Sequence, residues 1–316
     1  MGIFEAVVQG IVQGVTEFLP VSSSGHLLIS QHILGVKENN LFFSVMLHIG
    51  TLIAVVGVYW KEFLNLISAF FSLVKKCFTK KLSFKDLNSL SSYEQMVIMI
   101  IIGLLPLFML FIPIPGSGMN IKDVAEDLSS EKNIIVVGLA LLFTSFIINK
   151  GIKVKKSFTF ESFSKKNSDD LDSGKAVGPL DAVWIGIMQF IAAIFPGISR
   201  SGSTLAVGLL RKVGKKNALD YSFILGTPAI IAAAVLELKE VLENGLTSSI
   251  DVVPVVVGVI VSAVVGFLSI KLFKWLLKTD KMMIFVIYTF VVGILTVIVG
   301  IVEKFKGINI FTGMPI

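Results

Sequence analysis

Among its 316 residues the chain has one cysteine, three histidines and little charge, with Asp, Glu, Lys and Arg at 16%. Soluble domains carry about 25% charged residues. That deficit, with 54% hydrophobic residues and a mean hydropathy of +0.86, excludes an ordinary soluble globule. Cys77, alone in a basic stretch, excludes an internal disulfide and a thiolate metal centre. No histidine follows His48. The first residues hold neither a basic run nor a small-residue cleavage site, so no signal peptide is expected. A net charge of +6 raises the question of nucleic acid. In a membrane protein, basic loops facing the cytoplasm account for it better, so no nucleic-acid partner is expected.

What the sequence has is length of apolar run. Segments such as 41–60 and 283–302 hold about 20 residues, roughly 30 Å of helix, enough to span a bilayer. The pattern predicts six full crossings: 41–60, 93–112, 133–149, 219–236, 252–273 and 283–302. Two further apolar regions, 3–34 and 181–210, are interrupted by Pro, Gly and Ser. Each is expected to enter the membrane, break and turn back. The expected fold is an all-α polytopic membrane protein. Of the 28 Lys and Arg residues, 20 fall in 75–86, 150–175, 211–216 and 271–281. Only six fall in the alternating stretches 35–40, 113–132, 237–251 and 302–316. The lysine-rich loops are therefore expected inside and both termini outside. The Ser-rich, charged stretch 150–175 reads as a flexible cytoplasmic linker.

The two halves resemble each other. QGVTEFLPVSSSG begins at Gln13 and QFIAAIFPGISRSG at Gln189. In both, Pro follows seven residues after Gln (Pro20, Pro196), and Gly-Thr follows 37 residues after it (Gly50-Thr51, Gly226-Thr227). A Ser-x-Ser-Gly follows each proline, offset by one inserted residue in the second half. The lysine pattern has the first broken helix entering from outside and the second from inside. The expected organisation is thus an inverted repeat: 1–149, a polar linker 150–180, and 181–316. Such repeats place their site near the midplane, at the broken helices.

The polar residues gather at those breaks. A broken helix leaves N–H groups unpaired at the start of its second half, and these attract anions. Glu17 stands in an apolar region, where a carboxylate costs about 2.5–3.5 kcal/mol on insertion scales. Such a residue is functional by default, or else it caps a loop or forms an ion pair. Gln13 lies one helical turn before it, on the same face. Arg200 interrupts the second apolar region; its planar guanidinium suits two phosphate oxygens, or an ion pair with Glu17. Ser23 is a nucleophile only if a base lies within hydrogen-bond reach, and Glu17 and His26 are both close in sequence. Serines and a histidine in such a bend also serve simply to satisfy the backbone. His48 is expected to hydrogen-bond between helices, and Glu5 and Asp181 to sit structurally at helix starts.

On these residues the sequence resembles the undecaprenyl-diphosphate phosphatase family, the bacitracin-resistance membrane proteins. One motif is (Glu/Gln)-x-x-x-Glu followed by Pro-x-Ser-Ser-x-Gly-His, here Gln13, Glu17, Pro20, Ser22, Ser23, Gly25 and His26. The other is Pro-Gly-x-Ser-Arg-Ser-Gly, here Pro196, Gly197, Ser199, Arg200, Ser201 and Gly202, followed by Thr204. The resemblance implies hydrolysis of a C55 polyprenyl diphosphate to its monophosphate and inorganic phosphate, in the plasma or inner membrane. It implies catalytic roles for Glu17, Ser23, His26 and Arg200. Gln13, Ser22, Ser24, Gly25, Ser199, Ser201, Gly202 and Thr204 are then expected to bind the phosphates. It also implies a divalent cation, Mg²⁺ or Ca²⁺, on Glu17. Many members have Glu where this chain has Gln13, so two motif carboxylates are not available to that ion. The partners expected are the lipid substrate and the membrane, with a homodimer left open.

Two chemistries remain open at this point. Ser23 attacks phosphorus with Glu17 or His26 as base, or one of those two activates a water. A polyprenyl-phosphate transporter or flippase is the alternative function, because inverted repeats with midplane ionisable groups are also transporter features. A second lipid-phosphatase class, which needs a histidine after its Ser-Arg, is excluded because no histidine follows His48.

Overall fold

The computed structural model describes residues 2–35, 41–79, 89–128, 134–163, 174–243 and 252–315. Among these the chain forms twelve α-helices and no β-strand. They are α1 (Ile3–Thr16), α2 (Ser23–Leu34), α3 (Leu41–Val58), α4 (Trp60–Phe78), α5 (Ser92–Leu104) and α6 (Ile121–Leu128). The second part holds α7 (Ile134–Phe163), α8 (Pro179–Ile194), α9 (Arg200–Leu210), α10 (Lys215–Glu243), α11 (Val252–Lys278) and α12 (Met283–Lys306). Five described helices are long and apolar enough to cross a bilayer, or six when the bent α3–α4 pair counts as one span. The chain is a polytopic membrane protein.

The two interrupted regions are α1–α2 and α8–α9. Each breaks at its proline: Pro20 and Pro196 have no N–H to continue a helix. Each second half-helix is then restarted by a serine cap. Ser22 Oγ accepts from Gly25 N at 3.2 Å, and Ser199 Oγ accepts from Gly202 N at 3.0 Å. Ser22 adopts φ +75° and Gly197 φ +99°. A Cβ at Gly197 would lie 2.6 Å from Val137 O, so glycine is needed there for space as well as for backbone angle.

Each broken pair packs on a long helix from the other half. α1 lies on α11, and α8 lies on α5. Small residues let the backbones meet. Gly10 and Gly14 of α1 face the Gly258 and Ser262 carbonyls of α11, and Gly186 of α8 faces Gly103 of α5. Gly10 and Gly186 stand 176 positions apart, the spacing of Gln13 and Gln189. The breaks themselves meet back to back. Gly197 N donates to Ser24 Oγ at 3.4 Å, and Ser201 Oγ donates to Leu19 O at 3.2 Å. Beneath them Phe18, Leu19 and Val21 enter the main core with Leu205, Phe223, Phe273 and Phe285. Phe18 meets Phe223 edge-on, with centroids 5.5 Å apart.

Three segments take a more particular form than the apolar runs and the polar linker alone indicate. After α3 the chain turns by 86° and continues as α4. α4 buries Leu66, Ala69 and Leu73 and leaves Trp60, Leu64, Ile67 and Phe71 exposed. The expected crossing 93–112 is matched by the apolar stretch Ser92–Phe111, within which α5 gives way to a 3₁₀ segment, Leu105–Phe111, at Pro106. The linker is not wholly irregular: α7 runs to Phe163 and α8 starts at Pro179, while 164–173 lie outside the described residues. The linker's end is tied down, since Lys175 pairs with Asp181 at 2.7 Å.

The contact between the breaks predicts a packing cost. A Cβ at Gly202 would lie 2.8 Å from Pro20 Cβ and 3.0 Å from Ile148 Cδ1. Gly202→Ala should destabilise the fold by about 1–3 kcal/mol. Thermal unfolding of the purified protein in detergent measures this. An unchanged melting temperature would mean that the breaks are not in contact.

Candidate active site

Glu17, the residue after α1, is the hub of the site. Although only 6% exposed, its carboxylate has four neighbours. Arg200 Nη2 donates to Oε1 at 2.6 Å. Gln13 Nε2 donates to Oε2 at 3.0 Å and Ser23 Oγ donates to it at 2.6 Å. His48 Nε2 stands 3.9 Å from Oε2. The chain positions each partner locally. Gln13 is one turn earlier on α1, Ser23 is the first residue of α2, and Arg200 is the first residue of α9. His48 is on α3, where its Nδ1 meets the Ser44 carbonyl at 2.8 Å. A carbonyl only accepts, so Nδ1 donates to it and Nε2 is the nitrogen that faces Glu17.

Arg200 forms an ion pair with Glu17, one of the two arrangements that its place in the sequence allows. Nη2 is held by Glu17, while Nη1 is buried and unpartnered among the described residues. Glycine at 226 makes room for it, since a Cβ there would collide with Nη1. Other polar atoms at the site are unpartnered too: Gln13 Oε1 and both amide atoms of Gln189. A buried polar atom without a partner costs about 1–3 kcal/mol. Such a concentration marks a site built to receive a polar ligand.

A cavity of about 460 Å³ opens on this cluster. Its polar wall is Glu17, Ser22, Ser23, Ser24, His48, Gln189, Ser199, Arg200 and Ser201. The rest is apolar, including Leu104, Leu107, Phe108 and Phe111 from α5 and its 3₁₀ extension, Ala192 and Ala193 from α8, and Pro228, Ala229, Ile230, Ala232, Ala233, Ala234 and Leu236 along α10. One cavity thus joins a polar end to an apolar arm.

Residues 6–295 match the family model described as bacitracin resistance protein BacA. The chain belongs to the BacA family. It is 33% identical to the undecaprenyl-diphosphatase of Methanosphaera stadtmanae, covering 96% of this chain and 99% of that protein. Against the undecaprenyl-diphosphatase of Alkaliphilus metalliredigens the identity is 34%, over 94% and 98% of the two chains. Undecaprenyl-diphosphatase 4 of a Bacillus cereus strain is 34% identical, over 96% and 100%.

The structure sorts the BacA-family motif residues into two groups. Glu17, Ser22, Ser23, Ser24, Ser199, Arg200 and Ser201 line the cavity, and Gln13 supports them by donating to Glu17. Gly25, Gly202 and Thr204 do not line it. The two glycines allow the breaks to pack, and Thr204 Oγ1 donates to the Arg200 carbonyl at 2.7 Å. His26 is also turned away. Its Nδ1–H donates to Ser22 O at 2.8 Å, and its Nε2 accepts from the Tyr288 hydroxyl at 2.9 Å. It fixes the strained Ser22 backbone that launches Ser23, and it is not within reach of the Ser23 hydroxyl. The imidazole beside Glu17 is His48, which the sequence reading took as a helix-to-helix contact. Gln189 was read only as the anchor of the repeat. Its equivalence with Gln13 was the available signal.

A substitution distant from the polar cluster in sequence should therefore disable it. Gly226→Ala would push the guanidinium off Glu17. Loss of one charge-assisted bond is worth roughly 1.5–3 kcal/mol, or about 10- to 150-fold in rate. The measurement is kcat/KM of the folded variant. Wild-type activity would show that Arg200 does not need this seat.

Proposed function

We propose that this chain is an integral-membrane phosphatase that hydrolyses undecaprenyl diphosphate to undecaprenyl phosphate and inorganic phosphate. On this reading it recycles the lipid carrier of wall synthesis and confers bacitracin resistance. One observation carries it: a serine hydroxyl, a carboxylate and a guanidinium converge at one end of an otherwise apolar cavity. The ligand that fits both ends is an anion on a hydrocarbon tail. The names of the relatives point the same way. A transporter would need the charged groups but not a hydroxyl held on a carboxylate.

In the proposed chemistry Ser23 Oγ attacks the terminal phosphorus and its proton passes to Glu17, 2.6 Å away. The bond from that phosphorus to the bridging oxygen breaks, and the prenyl phosphate leaves along the apolar arm. Water then cleaves the phosphoserine and releases inorganic phosphate. Arg200 serves twice. Nη2 orients Glu17, and the unpartnered Nη1 supplies an N–H to a phosphate oxygen as charge develops. His48 Nε2 faces the same carboxylate from 3.9 Å and completes its surroundings.

A divalent cation, Mg²⁺ or Ca²⁺, is part of the proposal. Among the described residues no group of three His, Cys, Asp or Glu forms a metal cage. The residues present fit an ion that takes most of its ligands from phosphate and water. Glu17 and the unpartnered Gln13 Oε1 would hold it. When bound, it would neutralise phosphate charge.

We further propose that residues 1–149 and 181–316 are inverted copies and that the site opens to the outer face of the cell membrane. The exchanged packing of α1 on α11 and α8 on α5 supports the first. The second draws support from the direction of the apolar arm. It runs toward the C-terminal ends of the 3₁₀ segment and α10, away from the lysine-rich stretches that precede α5 and α10.

The test is phosphate release from C55 diphosphate by purified protein in detergent, with no gradient. Release that EDTA suppresses and Mg²⁺ or Ca²⁺ restores is expected. Undiminished release in EDTA would remove the cation. No release by folded protein, with lipid movement in vesicles, would favour the transporter.

A further inference from the structure

We propose that Gln189 binds substrate, its side-chain amide holding the phosphate that stays on the lipid; this rests on the phosphatase reading above. The argument begins with the repeat. Gln13 and Gln189 are 176 positions apart, and so are Glu17 and Ala193. In the first half the Gln13 amide donates to the carboxylate one turn later. In the second half the residue one turn later is alanine, and it forms part of the cavity wall. Gln189 therefore lacks the carboxylate its counterpart has. Its residue is 2% exposed, and both amide atoms are unpartnered among the described residues. The place of the missing carboxylate is cavity. An anionic oxygen of a ligand entering there meets the Nε2 donor as Glu17 meets Gln13.

Packing places this donor on the tail side of the reacting centre. Gly186, one turn before Gln189, lies on Gly103 of α5. Gly103 also touches Leu225, the neighbour of Gly226, on which Arg200 is seated. Gln189 and Arg200 line the same cavity. Ser23 lies at its polar end, donating to Glu17. Ala192 and Ala193, on the face that carries Gln189, begin the apolar arm with Leu104 and Leu107. A diphosphate with its terminal phosphorus at Ser23 and its tail in the arm brings its lipid-linked phosphate to Gln189. The same contact persists in the monophosphate product.

Gln189→Met tests this, because it keeps the volume and removes both polar atoms. Two probes separate the phosphates: farnesyl monophosphate for the lipid-linked one, and inorganic phosphate for the one transferred. Direct titration with farnesyl monophosphate should give a dissociation constant about 10- to 100-fold weaker than wild type. KM for a short-chain prenyl diphosphate should rise in parallel. Inhibition by inorganic phosphate should be unchanged. The variant should also melt at or above the wild-type temperature, since it loses unpartnered buried polar atoms. Unchanged farnesyl monophosphate affinity overturns the proposal. So does weaker inhibition by inorganic phosphate alone, which would move the contact to the other phosphate. A variant that unfolds or melts lower also overturns it, because the amide would then be holding the fold. The titration needs no turnover. A wild type that binds the monophosphate but releases no phosphate would defeat the phosphatase reading and leave this contact standing.

Discussion

The structure depends on one buried negative charge. Glu17 sits between two broken helices, and a carboxylate in that setting must be paired. Arg200 from the other half supplies the opposite charge at 2.6 Å. A buried ion pair adds little net stability, since the desolvation penalty offsets most of the attraction. Its value here is positional. Gln13, Ser23 and His48 take their places around the same carboxylate, and the two breaks must meet for Arg200 to arrive. The glycines at 25, 197 and 202 let them meet. A seat at Gly226 then lets the guanidinium fit.

The cavity follows from the same layout. Small side chains on α8 and α10 leave its volume open, and Pro228 and the 3₁₀ segment Leu105–Phe111 form part of its wall. Serine-capped half-helices start at the polar end. The apolar residues beyond them have no polar demand to satisfy. Gln13 belongs to this economy of charge. As an amide it donates to Glu17 at 3.0 Å without adding a second anion beside it. A glutamate in its place would need a proton or a second cation to sit as close.

Much of this was legible in the sequence, for physical reasons. Proline and glycine at matched spacing dictate where a helix stops, so both breaks were readable. Ionisable residues in apolar regions are costly, so Glu17 and Arg200 stood out. What was not legible depended on direction. His26 follows Ser23 closely in sequence, yet the helix points its ring toward Ser22 and Tyr288. His48 lies on another helix, and only packing brings it to Glu17. Gly226 looked like a repeat anchor, and its work as a seat for Arg200 emerges only in three dimensions. α4 was not legible because Lys75 and Lys76 at its end belong to the basic stretch 75–86, while its buried stripe of Leu66, Ala69 and Leu73 shows only in the packing.

The central claim is that Glu17 holds Ser23 as a nucleophile. Rapid quench of the purified enzyme with diphosphate labelled in its terminal phosphate tests this most directly. The account predicts transient label on Ser23 in the wild type. It predicts no label, and turnover lowered by several orders of magnitude, in a folded Ser23→Ala variant. A Ser23→Ala enzyme with wild-type turnover would contradict it.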